Sequence, residues 1–253
     1  MRINHNLMAM NTHRQLGINN TRGSKAMEKL SSGLRVNRAA DDAAGLSISE
    51  KMRGQIRGLT QAARNTQDGI SFIQTAEGAL NEVSAMLVRM KELAVQYANG
   101  TLSEEDKLNI EAELDQLAEE IGTITSESTF NGISLFSTIE IVISDDDTKT
   151  FEIGIENIEI DLDENTTEEI EAAIDEVNTA RANLGAQQNR LEHIYNNINT
   201  TTENLQAAEA RIRDTDMAQE MMEFTKNNIL QQAAQAMLAQ ANQVPQGVLQ
   251  LLR

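Results

Sequence analysis

Residues 166–213 read TTEEIEAAIDEVNTARANLGAQQNRLEHIYNNINTTTENLQAAEARIR, and their spacing decides the fold. Ile170, Val177, Leu184, Leu191, Ile198, Leu205 and Ile212 recur every seventh residue without a break, with Ile174 and Tyr195 at the intervening four-residue offset. An apolar heptad of this length predicts one continuous helix, about 65 to 75 Å long at 1.5 Å per residue. Thr166 and Glu169 stand at the separation of a capping box and would start it. The remaining offset positions are Arg181, Gln188, Thr202 and Glu209, so the seam is too polar for a simple two-stranded coiled coil and needs several partner helices.

A partner stands upstream. Ile56, Leu59, Ala63, Thr66, Ile70 and Ile73 alternate by three and four, Leu80, Leu87 and Ala94 continue at sevens, and Ala76, Val83, Met90 and Tyr97 form a second stripe. Ser47 with Glu50 reads as its capping box and Asn99-Gly100 as its left-handed stop. A shorter helix starting near Ser103 carries Leu108, Leu114, Leu117 and Ile121, and the short connection through Gly100 predicts that it folds back antiparallel. The period then changes to two: Ile139, Ile141 and Ile143 alternate, Asp145-Asp146-Asp147 interrupts, and Phe151, Ile153 and Ile155 resume. That is a β-hairpin, to which Ile158, Ile160 and Leu162 could add a third strand. The fold class is therefore mainly α: long antiparallel helices in a coiled-coil-like bundle with a small β-hairpin at about 137–163.

The two chain ends form a separate pair. Leu230, Ala234, Met237, Ala241, Val244, Val248 and Leu251 alternate by four and three to the last residues, with Leu238, Leu249 and Leu252 alongside. Ile3, Leu7, Met10, Leu16, Met27 and Leu30 make a weaker stripe at the other end. Chain ends are ordinarily polar and frayed, whereas these carry apolar surface that must be covered, either by an intramolecular two-helix hairpin or by other copies of the chain. Each large side chain left wet forgoes about 1.5–3 kcal/mol, so a stripe of seven represents on the order of 10 kcal/mol of association drive before entropic costs. The organisation expected is discontinuous: residues 1–45 plus 215–253 as a terminal helical domain, and 46–214 as the long-helix bundle. Met237 is expected inside the terminal seam. Met217, Met221, Met222 and Met237 read first as ordinary core filling and second as an adaptable interface that shifts between packing states, and Pro245 should bend or end the last helix because it cannot bond to Ala241.

Composition narrows the function. The chain of 253 residues has no cysteine, no tryptophan and one proline, so thiolate chemistry is excluded and long helices are favoured. No apolar run approaches the roughly 18 residues of a membrane span, and the opening Met1-Arg2-Ile3-Asn4-His5-Asn6 is too polar for a cleaved signal peptide. The net charge of -18 argues against nucleic acid. It is unevenly spread: residues 1–65 hold 11 basic and 4 acidic groups, whereas 101–176 hold 2 basic and 24 acidic ones. A basic end and an acidic middle suit contacts between copies and keep the middle soluble. His5, His13 and His193 lack metal-ligand spacing, the aspartate run lacks the glycine and spaced ligands of a calcium loop, and no triad or phosphate-binding glycine pattern occurs. An enzyme, a cofactor or a resident metal is not expected.

Specific strings add a resemblance. Lys29-Leu30-Ser31-Ser32-Gly33-Leu34-Arg35-Val36-Asn37, Asp41-Asp42-Ala43-Ala44-Gly45-Leu46 and Thr129-Phe130-Asn131-Gly132 follow the opening hexapeptide. Ala210-Arg211-Ile212-Arg213-Asp214 and Ala239-Gln240-Ala241-Asn242-Gln243-Val244-Pro245-Gln246 precede the closing Leu251-Leu252-Arg253. In order and spacing the chain resembles bacterial flagellins over about 1–135 and 166–253. The resemblance implies a secreted structural subunit whose end helices form the core of the flagellar filament used for swimming. It implies assembly residues at Leu7, Met10, Leu30, Leu230, Ala234, Met237, Ala241, Val244, Val248 and Leu251. It also implies type III export, partners that include an export chaperone and the cap and junction proteins, and ends that are disordered in free monomers. The outer region, Ser134 to Asn165, is minimal, which implies a thin, smooth filament. Leu87-Val88-Arg89-Met90-Lys91-Glu92-Leu93 and Glu113 are similar to the segment through which some flagellins meet a Toll-like receptor, with Leu87, Arg89, Leu93 and Glu113 as the implied contacts. Val88 and Lys91 depart from the usual Gln and Arg. A hook–filament junction protein of the same superfamily and a soluble coiled-coil adaptor remain the alternative readings.

Overall fold

The computed structural model describes residues 6–146, 148–154 and 167–251. Helices α1 (Leu7–Ser32), α2 (Ala43–Tyr97) and α3 (Glu104–Glu127) come first. Strands β1 (Thr129–Phe130), β2 (Ile133–Ser134), β3 (Ile139–Val142) and β4 (Thr150–Ile153) follow, then helices α4 (Thr167–Arg213) and α5 (Met217–Leu251). The chain is mainly helical as expected, and it divides into two compact units: Met1–Arg53 with Leu205–Arg253, and Gly54–Asn204.

The second unit is built on α2. Its buried positions run Leu59, Ala62, Thr66, Gly69, Ile73, Ala76, Leu80, Val83, Leu87, Met90 and Ala94, an unbroken alternation of three and four. This differs from the sequence reading at two places. Ala62 and Gly69 occupy the seam where Ala63 and Ile70 were expected, because a Cβ on Gly69 would run into Ile141 and Ile153 of the hairpin. Reading by side-chain size selects the larger neighbour, whereas close approach of a strand pair selects the residue with no side chain. Tyr97, the expected last member of the second stripe, is exposed.

On α4 the heptad holds: Ile170, Val177, Leu184, Leu191 and Ile198 are buried, and Leu205 and Ile212 are half-buried. The buried intervening positions are Ala173 and Ala180, three residues on, while Ile174 and Tyr195 are half-buried. Together α2, α3, α4 and the hairpin enclose one apolar core that includes Phe72, Leu135, Phe136, Phe151 and Ile153.

Helix ends correct several expectations. The Asp42 carboxylate accepts the Gly45 N–H at 2.8 Å and starts α2 a turn early, so Ser47 and Glu50 lie inside the helix and form no cap. At the other end α2 stops at Tyr97 with the Asn99 N–H turned back to the Gln96 carbonyl at 3.1 Å. Gly100 is not left-handed; among the described glycines only Gly33 and Gly132 are. Ser103 caps α3, and Asp106 completes a capping box with it. Leu108 is exposed, and Ile110 takes the inward place with Leu114 and Ile121.

β3 pairs antiparallel with β4 in the register Ile139↔Ile153 to Val142↔Thr150. Phe151 and Ile153 point into the core, and the Arg190 guanidinium lies 4.7 Å from the centre of the Phe151 ring. The proposed third strand, Ile158 to Leu162, and the Thr166 cap lie outside the described residues. A second hairpin, β1–β2, was not anticipated. Asn131 and Gly132 have φ values of 53° and 82°, the mirror-image turn that Asn-Gly favours between extended pairs. The Thr-Phe-Asn-Gly-Ile-Ser stretch carried that signal. Its Phe130 ring meets Phe72 edge-on at 5.9 Å.

The hairpin tip comes close to α2. A Cβ on Gly58 would lie 2.8 Å from the Asp145 Cα, which is backbone and cannot rotate away. Gly58→Ala would gain about 1 kcal/mol of helix propensity but lose about 1–3 kcal/mol to overpacking. The expected result is a lower thermal midpoint and faster proteolysis at the hairpin; a raised midpoint would contradict this placement.

Candidate assembly interface

The terminal helices pair with each other, antiparallel. The Asn6 amide of α1's first cap reaches the Ala241 carbonyl, Gly23 lies opposite the Asn227 Cβ, and Lys29 approaches Glu220. The buried positions of the pair are small or amide-bearing: Asn19 and Ala26 on α1, and Asn227, Ala234 and Ala241 on α5, seven residues apart within each helix. Such residues let two helix axes approach closely. The large apolar residues stay accessible to solvent. Leu7, Met10 and Met237 are 64%, 65% and 57% exposed, and Leu230 and Val244 are exposed as well. Leu30 is half-buried, and the side chains of Val248 and Leu251, like Ile3, lie outside the described residues.

Met217, Met221, Met222 and Met237 are 48–68% exposed, so the reading of these methionines as ordinary core fillers is corrected: none of them is buried in the single chain. α1 and α5 cover each other through their small residues, and several of their large apolar residues stay wet.

Pro245 does not end α5, which continues to Leu251. A proline inside a helix leaves the carbonyl four residues back without its donor. Here that carbonyl belongs to Ala241, and the Asn6 Nδ2 donates to it at 2.7 Å. The Asn6 Oδ1 meanwhile accepts the Ala9 N–H at 3.1 Å, so one side chain both caps α1 and offsets the proline.

Beyond the pair, two of the sequence strings meet. Gly33 ends α1 in the left-handed conformation, its N–H bonded to Lys29. The chain then runs beside the α4–α5 junction: the Arg35 N–H donates to the Arg213 carbonyl at 2.6 Å, and Thr215 N–H to Gly33 at 3.0 Å. The Arg35 guanidinium donates to the Ile212 carbonyl, and Asp216 caps α5 through the Ala218 N–H. Arg213 donates to Glu50 at 2.6 Å. That hydrogen bond, with a second from Arg53, holds the Glu50 carboxyl below its ordinary value. The Arg38 and Asn37 N–H groups lower Asp41 in the same way. A carboxyl depressed in the folded state adds stability above its unfolded value, 4.5 for Glu50, and loses it as pH falls through the folded one. Acidification through that range should therefore loosen this junction, seen as faster amide exchange at Gly33–Asn37 than the change in intrinsic rate accounts for. Unchanged protection down to pH 3 would contradict it.

The other candidate surface lies on α2 and α3. Arg89 donates to Glu113 at 2.9 Å and to Glu92 at 3.3 Å, and all three side chains are exposed. Leu87 and Leu93 are instead 0% and 2% exposed, members of the core, so they offer no side chain to a receptor.

The description of the bacterial flagellin N-terminal helical region matches residues 3–140, and that of the C-terminal helical region matches 167–252. The chain belongs to the bacterial flagellin family. A flagellin of Halalkalibacterium halodurans is 55% identical over 272 residues, covering 100% of both chains. A flagellin of Bacillus subtilis is 48% identical over 304 residues, again across both full lengths. The 33 kDa flagellar filament core protein of Treponema phagedenis is 48% identical with the same coverage. The crystal structure of Bacillus cereus flagellin aligns at 34% identity and a TM-score of 0.49, over 58% of this chain and 94% of that one. As a flagellin the chain is a non-enzymatic subunit that polymerises into the extracellular flagellar filament of swimming bacteria.

Proposed function

We propose that the outer face of the α1–α5 pair is the surface through which copies stack in the filament. Leu7, Met10, Leu230, Met237 and Val244 contribute to it directly; Ala234 and Ala241 act by letting the two helices close. On this reading 1–45 plus 215–253 form the filament-core domain and 46–214 the outer bundle. The observation that supports it is the inversion of side-chain size: small residues fill the seam, large ones face water. Met237→Asp tests it. The position is more than half exposed, so the subunit should fold unchanged, while a charge moved into a dry contact between copies costs several kcal/mol. Polymer yield in electron micrographs should fall by about tenfold or more. Normal filaments would remove this face from the interface.

Export through a type III apparatus, and partners such as an export chaperone and the cap and junction proteins, come to the chain from its family. Contact with a Toll-like receptor would rest on Arg89 and Glu113. Their solvent-facing ion pair supports it, and Arg89→Ala, which leaves the core untouched, should lower receptor signalling by purified subunits. An unchanged response would exclude it.

A further inference from the structure

Methionine is distributed unevenly between the two units. Met8, Met10 and Met27 on α1 are 64%, 65% and 55% exposed. On α5 the values for Met217, Met221, Met222 and Met237 are 48%, 50%, 68% and 57%. Met90, in the core of the second unit, is 0% exposed, and Met52 and Met86 are only partly accessible. Every strongly exposed methionine among the described residues therefore lies on the terminal helices. Met221 and Met222 line an open apolar hollow on α5 with Ile229 and Leu230.

We propose that these thioethers are a modification site for peroxides, and that their oxidation blocks addition of a subunit to the filament; the inference rests on the assembly face proposed above. Accessibility governs thioether oxidation. The sulfur donates an electron pair to one peroxide oxygen, an S–O bond forms as the O–O bond breaks, and water leaves. Sulfur is oxidised by two electrons and the peroxide reduced by two. The product is a polar sulfoxide whose oxygen accepts hydrogen bonds and donates none. Its burial against apolar neighbours in another copy has no compensation, whereas a thioether there adapts to its surroundings. Subunits already in the polymer carry the same sulfurs out of reach, so the oxidant acts on elongation and spares existing filament.

The experiment uses the full chain, unassembled and polymerised, each treated with hydrogen peroxide and mapped by peptide mass spectrometry. Unassembled subunits should gain one oxygen at Met8, Met10, Met222 and Met237, with Met90 unmodified as the internal reference; in the polymer those sites should be protected by about tenfold. Oxidised subunits should extend filament seeds at about one tenth of the untreated rate. Treatment with methionine sulfoxide reductases for both epimers should restore it. A variant with Met8, Met10, Met27, Met217, Met221, Met222 and Met237 replaced by Leu should resist the peroxide, and if that variant does not assemble, the reductase rescue alone decides. Protection in the polymer with normal elongation by oxidised subunits overturns the proposal and leaves the assembly face standing. Equal oxidation in polymer and monomer overturns both.

Discussion

Removal of residues 230–253 should abolish polymerisation and leave the core of the Gly54–Asn204 unit folded. The deletion takes away Leu230, Met237 and Val244 from the outer face, and with Ala234 and Ala241 it removes the half of α5 that closes on the start of α1. At about 1.5–3 kcal/mol for each large apolar side chain, the face loses several kcal/mol in every copy-to-copy contact. The first half of α1 also loses the carbonyl that Asn6 holds and is left without a partner, a marginal structure in water. None of the deleted residues belongs to the core that contains Leu80, Leu114 and Leu191. Circular dichroism should show a cooperative transition retained in the truncated chain, and sedimentation should find no polymer. Filaments of ordinary length from that chain would place the assembly surface elsewhere.

The second large effect is on stability. Leu191 is 0% exposed on α4 and faces the same narrow space beside Gly69 that Ile141 and Ile153 enter. Leu191→Ala deletes buried methyl groups where helix and hairpin approach too closely to relax inward, and should cost about 2–5 kcal/mol. For a unit of this size the thermal midpoint should drop by about 5–15 °C. Leu205→Ala, at a half-buried position of the same heptad, should cost clearly less. Equal losses at the two sites would contradict the burial gradient along α4.

The heptad of α4 was legible because its members are large and uninterrupted; Ile170 through Ile198 are buried as their spacing requires. The period-two segment was equally plain, and Ile139 does pair with Ile153. What escaped was set by residues with little side chain. Gly69 and Ala62 carry the α2 seam beneath the hairpin, and Ala173 and Ala180 carry that of α4, yet a pattern read from large apolar residues passes over all four. The C-terminal stripe already contains Ala234 and Ala241; what its spacing does not show is that these two, with the amide-bearing Asn19 and Asn227, make the contact between the helices while Met237 and Leu230 stay accessible. Pro245 reads as a break in sequence because the Asn6 donor that satisfies Ala241 is distant along the chain and has no local signal. Leu87 and Leu93 are receptor contacts on resemblance alone; the burial of Leu87 follows from the α2 period that contains it, and Leu93 is buried beside Ala94. Ser47 and Glu50 matched a capping box in spacing, but Asp42 had already started the helix.

A cryo-electron microscopic map of the polymer, at a resolution that places side chains, bears most directly on the outer face of α1 and α5. Leu7, Met10 and Met237 should each touch apolar atoms of a neighbouring copy within about 4.5 Å, with Ala234 and Ala241 still closed on α1. A filament held together by α2, α3 and α4 alone, with those three side chains in water, would contradict the account.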